Sequence, residues 1–353
     1  MIGNVPQRST EVIQFELNDQ QANFLDCAAR QVGAMGGPDV AGSAKTSIFH
    51  AQALMRLMGR PQRDLLELFS NGKVAAIEFT GMREPEQDPA PKFLPPVDII
   101  CNEPTTLYLS SRSQILLSLV NYRSFAFDID NESKQIRIVG NFKGGGAVGL
   151  PSETGSVTAE LSSHSGLELG PHTEPPYNCS LNAENGHSPA PSALILTARW
   201  TPSQEPTKLI PVRNVIAKLN GLEALALSSK SFCFSRSECF VKDDSEDMLE
   251  HSIIQFDPRG DFTLRYNSYR YSVHEKASQL ARQAYWSLKD LLNQADCYEF
   301  VLLPTSALLI NNSQALHARD TIKDNRRLLI RLFGYSPDTQ PLILQQDPLI
   351  VRG

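Results

Sequence analysis

Residues 307–333 read Ala307-Leu-Leu-Ile-Asn-Asn-Ser-Gln-Ala-Leu-His317-Ala-Arg319, then Asp320-Thr-Ile-Lys-Asp324-Asn-Arg-Arg327-Leu-Leu-Ile-Arg331-Leu-Phe333. The apolar run 307–310 has the composition of a short strand and ends in two asparagines, residues that favour turns. A turn then delivers His317, and ten residues later a second apolar run begins with arginines. In an extended strand successive side chains leave opposite faces, so Arg327, Leu329 and Arg331 share one face while Leu328, Ile330 and Leu332 share the other. Two guanidiniums therefore point the same way beside a histidine. A loop histidine and a solvent-facing strand edge would give the same pattern, so the segment needs a partner elsewhere in the chain.

That partner lies upstream, in residues 166–177, Gly-Leu-Glu-Leu-Gly-Pro-His172-Thr-Glu174-Pro-Pro-Tyr. If the backbone is extended there, His172 and Glu174, at i and i+2, leave the same face and converge on one point. A borderline or hard divalent metal accepts such mixed nitrogen and oxygen donors. Two histidines with one carboxylate form the facial set of Fe(II) sites that keeps positions open for substrates. The alternative is a surface turn in which Pro175 and Pro176 end a strand and both side chains face water.

The 353 residues, 41% apolar and 20% charged, are those of a globular protein with room for a sizeable core. A net charge of −6, with 39 acidic against 33 basic residues and no basic cluster, argues against a nucleic-acid-binding surface. The N-terminal residues lack the apolar core and cleavage site of a leader. No run approaches the length needed to span a bilayer, so a cytoplasmic protein without membrane attachment is expected. Six scattered cysteines without a CxxC pair point to free thiols in a reducing compartment and away from zinc-ribbon chemistry.

Along the chain, a helix is expected over 19–32, capped by Asn18 with Gln21 completing a capping box and Gly33 closing it. Two further helices are expected over 48–58 and 65–69. From residue 74 the texture changes to short apolar runs at 74–79, 97–101, 125–129, 136–139, 194–198, 232–234, 262–266, 307–310 and 327–333, separated by Pro, Gly and Asn. Many short strands of this kind predict a sandwich or barrel. A helical pattern over 277–292, with Ser272 able to cap it, is expected to pack against a sheet. The Gly-Ser-Ala-Lys45-Thr46 run lacks the glycine that precedes a phosphate-loop lysine. The glycine triplet at 144–146 reads as a turn, the polar stretch 177–192 as a cover or solvated loop, and the acidic run 243–250 as solvated surface.

The combination of His-x-Glu, a distant histidine after a strand and an arginine pair on the next strand resembles the iron(II)- and 2-oxoglutarate-dependent oxygenases, most of all the clavaminate synthase-like and taurine dioxygenase-like branch. Further matches are Asn71-Gly72-Lys-Val-Ala-Ala-Ile77-Glu-Phe-Thr-Gly81, Phe93-Leu-Pro-Pro96, Glu168-Leu-Gly-Pro-His172-Thr-Glu174 with one extra residue before the histidine, and Glu205-Pro-Thr207-Lys. Together they extend over roughly residues 60–333. The resemblance implies a mainly β fold with flanking helices around a double-stranded β-helix (jelly roll, cupin-like) core. It further implies one domain over 1–353, with a helical N-terminal part over 1–73, the jelly-roll core over 74–335 with a helical insertion near 273–294, and a C-terminal tail over 336–353.

Carried over residue by residue, His172, Glu174 and His317 would ligate Fe(II), and 2-oxoglutarate and O2 would be co-substrates. Arg327, with Thr207 beside it, would bind 2-oxoglutarate, because a guanidinium meets a carboxylate bidentately. Arg331 would hold an anionic group of the substrate. The implied reaction is hydroxylation of an unactivated C–H of an amino acid or amino-acid-derived small molecule, free or carrier-bound, coupled to decarboxylation of 2-oxoglutarate to succinate and CO2.

Relatives that hydroxylate free basic amino acids carry acidic residues some fifty places before the second histidine, where this chain reads Leu264-Arg265-Tyr266-Asn267-Ser268-Tyr269-Arg270. A neutral, acidic or tethered substrate is therefore expected. Glu174 leaves no vacated ligand position for a halide. Desaturation or epoxidation at the same centre, a non-catalytic jelly-roll binding protein, and a zinc hydrolase on the same three ligands are the alternatives. The last leaves the arginine pair unexplained and lacks the helical HExxH spacing. Substrate identity and oligomeric state are not encoded legibly.

Overall fold

Alternation along the strands creates two buried faces on each sheet, and the chain answers with four layers. The computed structural model describes residues 11–86, 89–150, 162–174, 182–235, 250–256 and 262–353. Most of the acidic run 243–250, the start of the polar loop 177–192, Cys179 and Cys239 lie outside the described residues. Cys27, Cys101 and Cys297 are free thiols.

The strands are β1 (Val12–Glu16), β2 (Ala76–Thr80), β3 (Arg123–Phe127), β4 (Arg137–Gly140), β5 (Leu169–His172), β6 (Ala193–Trp200), β7 (Thr207–Pro211), β8 (Phe232–Phe234), β9 (Glu250–His251), β10 (Ile254–Phe256), β11 (Phe262–Leu264), β12 (Tyr271–Val273), β13 (Tyr298–Phe300), β14 (Ala307–Asn311), β15 (Ala315–Arg319), β16 (Leu328–Tyr335), β17 (Ile343–Gln346) and β18 (Leu349–Val351). The helices are α1 (Asp19–Ala34), α2 (Ser43–Arg56), α3 (Arg60–Ser70), α4 (Val97–Asn102), α5 (Pro104–Leu119), α6 (Arg213–Ile216), α7 (Gly221–Leu227) and α8 (Gln279–Asn293).

A large sheet runs β1-β2-β14-β6-β16-β3-β18-β17, with β4 also pairing β16, and a smaller sheet runs β13-β7-β15-β5. Leu194, Leu196, Leu308 and Leu329 of the large sheet share one core with Leu209, Phe300 and Ala315 of the smaller, so the two sheets pack face to face. The alternate residues Ile195, Leu309, Leu328 and Ile330 turn outward into a second core with Leu25, Leu54, Leu66 and Leu116 of α1, α2, α3 and α5. On the far side of the smaller sheet, Ile210 and Leu316 join Leu227, Tyr285 and Leu288 of α7 and α8. The result is the expected jelly roll with flanking helices.

This parity places the polar residues. Thr207 shares the face of Leu209, His317 and Arg319 share that of Ala315, and Arg331 shares that of Leu329. All of them point between the two sheets.

Local signals explain several elements. Asn18 accepts from the Gln21 backbone N–H at 3.0 Å while the Gln21 side chain accepts from the Asn18 N–H at 3.1 Å, the reciprocal cap that starts α1. The helix runs past Gly33 to Ala34. β2 stops at Gly81, where φ is +74° and a Cβ would sit 2.6 Å from the Leu17 carbonyl oxygen, a turn that favours glycine. Three expectations change. Residues 97–101 form helix α4 directly after Pro96 instead of a strand, and α8 is capped by Ser278, since Ser272 lies within β12. His317 sits in the middle of β15, not in a turn. The long helix α5 has no counterpart in the expected elements, because twelve of its sixteen residues are buried and it carries no polar face to reveal a helical period.

Candidate metal centre

β5 and β15 are antiparallel neighbours, and their register sets His172 directly opposite His317. Their rings lie 4.2 Å apart between centroids. Glu174, two residues beyond the end of β5, folds back so that one ligand atom each of His172, Glu174 and His317 lies within 4.8 Å of the others. Among the described residues this is the one cluster of three metal-ligating side chains. Glu174 and His317 are buried and His172 is half-buried.

The backbone around the cluster is fixed by what crosses it. Thr173 N–H donates to the Tyr266 carbonyl at 2.8 Å, Ser268 N–H donates to the Pro171 carbonyl at 3.1 Å, and Asn267 bridges His172 in an antiparallel sense. Gly170 makes this approach possible: a Cβ there would fall 2.3 Å from Ser268 Oγ and 3.1 Å from the Tyr269 ring. The Asn312 side-chain oxygen accepts from the Glu174 N–H at 2.9 Å, and its amide donates to the Pro191 carbonyl at 2.8 Å. Asn312, the first residue after β14, thus pins the carboxylate-bearing residue.

The ring nitrogens are assigned by their partners. His172 Nδ1 faces the Gly170 carbonyl at 2.8 Å. A carbonyl only accepts, so Nδ1 carries the proton and Nε2 keeps the lone pair. Desolvation in the enclosed site, with His317 adding to it, presses the His172 pKa down to about 3, so the imidazole stays neutral. Burial alone would raise Glu174, yet the Arg331 guanidinium and the two histidines outweigh it and hold the carboxyl well below its usual range. His317 Nε2 lies 3.4 Å from Glu174 Oε1, and its Nδ1 has no hydrogen-bond partner among the described residues. Two imidazoles and an ionised carboxylate are the donor set of a divalent metal, and the residues present fit Fe(II).

Arg327, immediately before β16, is buried at 2% exposure. Its Nη2 donates to Thr207 Oγ1 at 3.4 Å, and Nε lies 4.0 Å from Glu205 Oε2 without a hydrogen bond. Nε and Nη1 make no hydrogen bond among the described residues. A buried guanidinium with open donors is costly unless an anion completes it. The structure therefore brings Arg327 and Thr207 together as expected.

Arg331, expected to hold an anionic group of the substrate, is engaged by the cluster itself. Its Nη1 donates to Glu174 Oε1 at 2.6 Å, and its guanidinium lies 4.0 Å over the Phe333 ring.

Arg319 was not among the expected site residues. It lies two places after His317 on the same strand face, a spacing visible in the sequence. Its Nη2 donates to the Ser162, Ser165 and Leu167 carbonyls, and Nη1 has no partner among the described residues. Burial, with the charge of Arg327 adding to it, pulls its pKa down to about 9.

Among the described residues no helix is long and apolar enough to cross a membrane. No protein-family model matches the sequence, and no curated protein matches it significantly. Solved structures do match. The non-heme iron oxygenase OrfP in complex with Fe, succinate and (3R,4R)-dihydroxy-L-Arg superposes with a TM-score of 0.68 at 17% identity, covering 92% of this chain and 94% of that one. The asparagine oxygenase in complex with Fe(II), 2S,3S-3-hydroxyasparagine and succinate gives 0.67 at 17% identity, over 96% and 99% of the two chains. OrfP with Fe and alpha-ketoglutaric acid gives 0.62 at 16% identity, over 91% and 93%. The chain thus has the fold of these non-heme iron oxygenases, over nearly its whole length.

Proposed function

We propose that the chain, as one domain, is an Fe(II)- and 2-oxoglutarate-dependent oxygenase that hydroxylates an unactivated C–H of an amino acid or amino-acid-derived small molecule. The observation that carries this reading is the pairing of the His172, Glu174 and His317 cluster with a buried Arg327 whose Nε and Nη1 are unsatisfied. A metal triad alone would serve many chemistries. A buried cation with open donors in the same intersheet space asks for a dicarboxylate that reaches both.

Each residue has a task in this reading. His172, Glu174 and His317 hold Fe(II), which supplies the oxygen chemistry driven by decarboxylation of 2-oxoglutarate to succinate and CO2. Arg327 takes the far carboxylate of 2-oxoglutarate, and Thr207 orients the guanidinium and lends its hydroxyl. The facing sheets keep bulk water from the reacting groups. Arg331, which reaches the cluster through Glu174, would hold an anionic group of the substrate. The reading is tested by aerobic incubation with Fe(II), 2-oxoglutarate and a panel of amino acids, following succinate. Absence of succinate above a His317→Ala control under every condition would favour a binding protein of the same fold.

The similar structures in complex with (3R,4R)-dihydroxy-L-Arg and 2S,3S-3-hydroxyasparagine support an amino-acid-like substrate, and the segment 264–270 narrows it. It lies against His172 and Thr173 and carries no carboxylate, while Arg265 and Arg270 add positive charge. A cationic side chain would find no partner there. Free arginine and lysine are expected to give no hydroxylated product, whereas neutral or acidic amino acids, free or carrier-bound, should stimulate succinate formation. Product analysis by mass spectrometry checks this, and enzyme-like turnover of free arginine would remove the charge argument.

A further inference from the structure

Arg331 stands between two carboxylates. Nη1 donates to Glu174 Oε1 at 2.6 Å, and Nη2 lies 3.9 Å from Asp130 Oδ2. All three residues are buried, with 6%, 7% and 7% exposure for Arg331, Glu174 and Asp130. Asp130, just beyond β3, also accepts from Arg137 Nη1 at 2.6 Å, and Arg137 in turn holds Ser163 Oγ through Nε and Nη2. The Phe333 ring, 4.0 Å from the guanidinium centre, forms a floor on which the group can pivot between its two acceptors without leaving the ring face.

The carboxylate that Arg331 holds is one of the three metal-ligating groups. Glu174 Oε1 also approaches His317 Nε2, at 3.4 Å. An ion shared by His172, His317 and Glu174 would draw on the same carboxylate. Two cations on one carboxylate oxygen in a buried site repel each other strongly, because the surroundings screen them poorly. Removing a cation from a buried carboxylate without replacement is equally unfavourable. A resident guanidinium solves the second problem and creates the first.

We propose that Arg331 competes with a divalent ion for Glu174, an exchange in which the guanidinium shifts toward Asp130. This rests on the metal-centre reading above and adds a device to it. Asp130 is the receiving post, already within 3.9 Å. The exchange lowers the apparent metal affinity and orders the steps: the guanidinium leaves Glu174 only when an ion is present.

The test is titration of the full chain with Mn(II) alone, read by the loss of the free-ion EPR signal, with circular dichroism as the control for folding. Arg331→Gln is expected to tighten Mn(II) binding by about tenfold or more, the strength of a charged hydrogen bond that no longer has to be given up. Asp130→Asn, which weakens the receiving post, should loosen binding, and the double variant should behave as Arg331→Gln alone. Since Asp130→Asn also releases Arg137, the Arg331→Gln titration decides the question if that variant does not fold. Unchanged or weaker binding by a folded Arg331→Gln chain overturns the exchange and makes Arg331 a residue that merely orients Glu174. Wild-type chain that shows no Mn(II) binding sensitive to His317→Ala refutes the metal-centre reading itself, a separate outcome.

Discussion

His317→Ala is expected to abolish succinate formation and to weaken divalent-metal binding by more than about 100-fold, since even outer partners of metal ligands contribute 10–100-fold. The expectation follows from geometry. His317 lies in the middle of β15, opposite His172 and 3.4 Å from Glu174, so its loss leaves only the two donors from the end of β5. The backbone should tolerate the change: Ala315 and Ala318 already stand on this strand, and Leu316 anchors its other face in the core beneath α7 and α8. Metal titration and succinate release, measured on a chain with unchanged circular dichroism, check both parts. Wild-type rates of succinate formation from this variant would take His317 out of the site.

Arg327→Ala is expected to raise the concentration of 2-oxoglutarate needed for half-maximal turnover by about 100-fold. A hydrogen bond to a charged group contributes about 1.5–3 kcal/mol, and a bidentate carboxylate loses two of them. Metal binding should be nearly unaffected, because Arg327 is tied to Thr207 and Glu205 and not to the cluster. Arg327→Lys should recover only part of the loss, since an ammonium is a point charge without the planar fork. Arg319 lies near enough for its charge to affect Arg327, yet its Nη2 is spent on three backbone carbonyls. An Arg327→Ala chain with an ordinary 2-oxoglutarate requirement but a raised requirement for the organic substrate would reverse the roles given to Arg327 and Arg331.

The parts of this chain that were legible beforehand are those whose signal is chemical or local. The His172-x-Glu174 pair, His317 and the arginine strand declare themselves through rare side chains at meaningful spacing. The start of α1 declares itself through a capping box in which both halves form. What stayed hidden is what packing decides. β15 is buried on both faces, His317 and Arg319 included, and in Ala-Leu-His-Ala-Arg only Leu316 is a large apolar residue, too little to mark a strand beside the turn residues that precede it. α5 is apolar or buried around its whole circumference, even at Arg112, which is fully buried and donates to the Pro304 carbonyl at 2.5 Å and to Thr197 Oγ1 at 3.2 Å. Arg331's position on Glu174 depends on how β16 lies across β5, and no property of the local sequence carries that.

The cross-strand pairing of His172 and His317 has a consequence for the chain as a polymer. The two residues are direct neighbours across β5 and β15 but far apart along the backbone. An ion held between them would close a long loop, much as a covalent bridge does, and would bind only where both strands have already met. The melting point would then climb with the logarithm of the free metal concentration, by about 2.7 kcal/mol of added stability at a hundred times the dissociation constant. Through that coupling the ion would serve as an architectural clasp as well as a reagent, and a chelator would act on this protein as a mild denaturant.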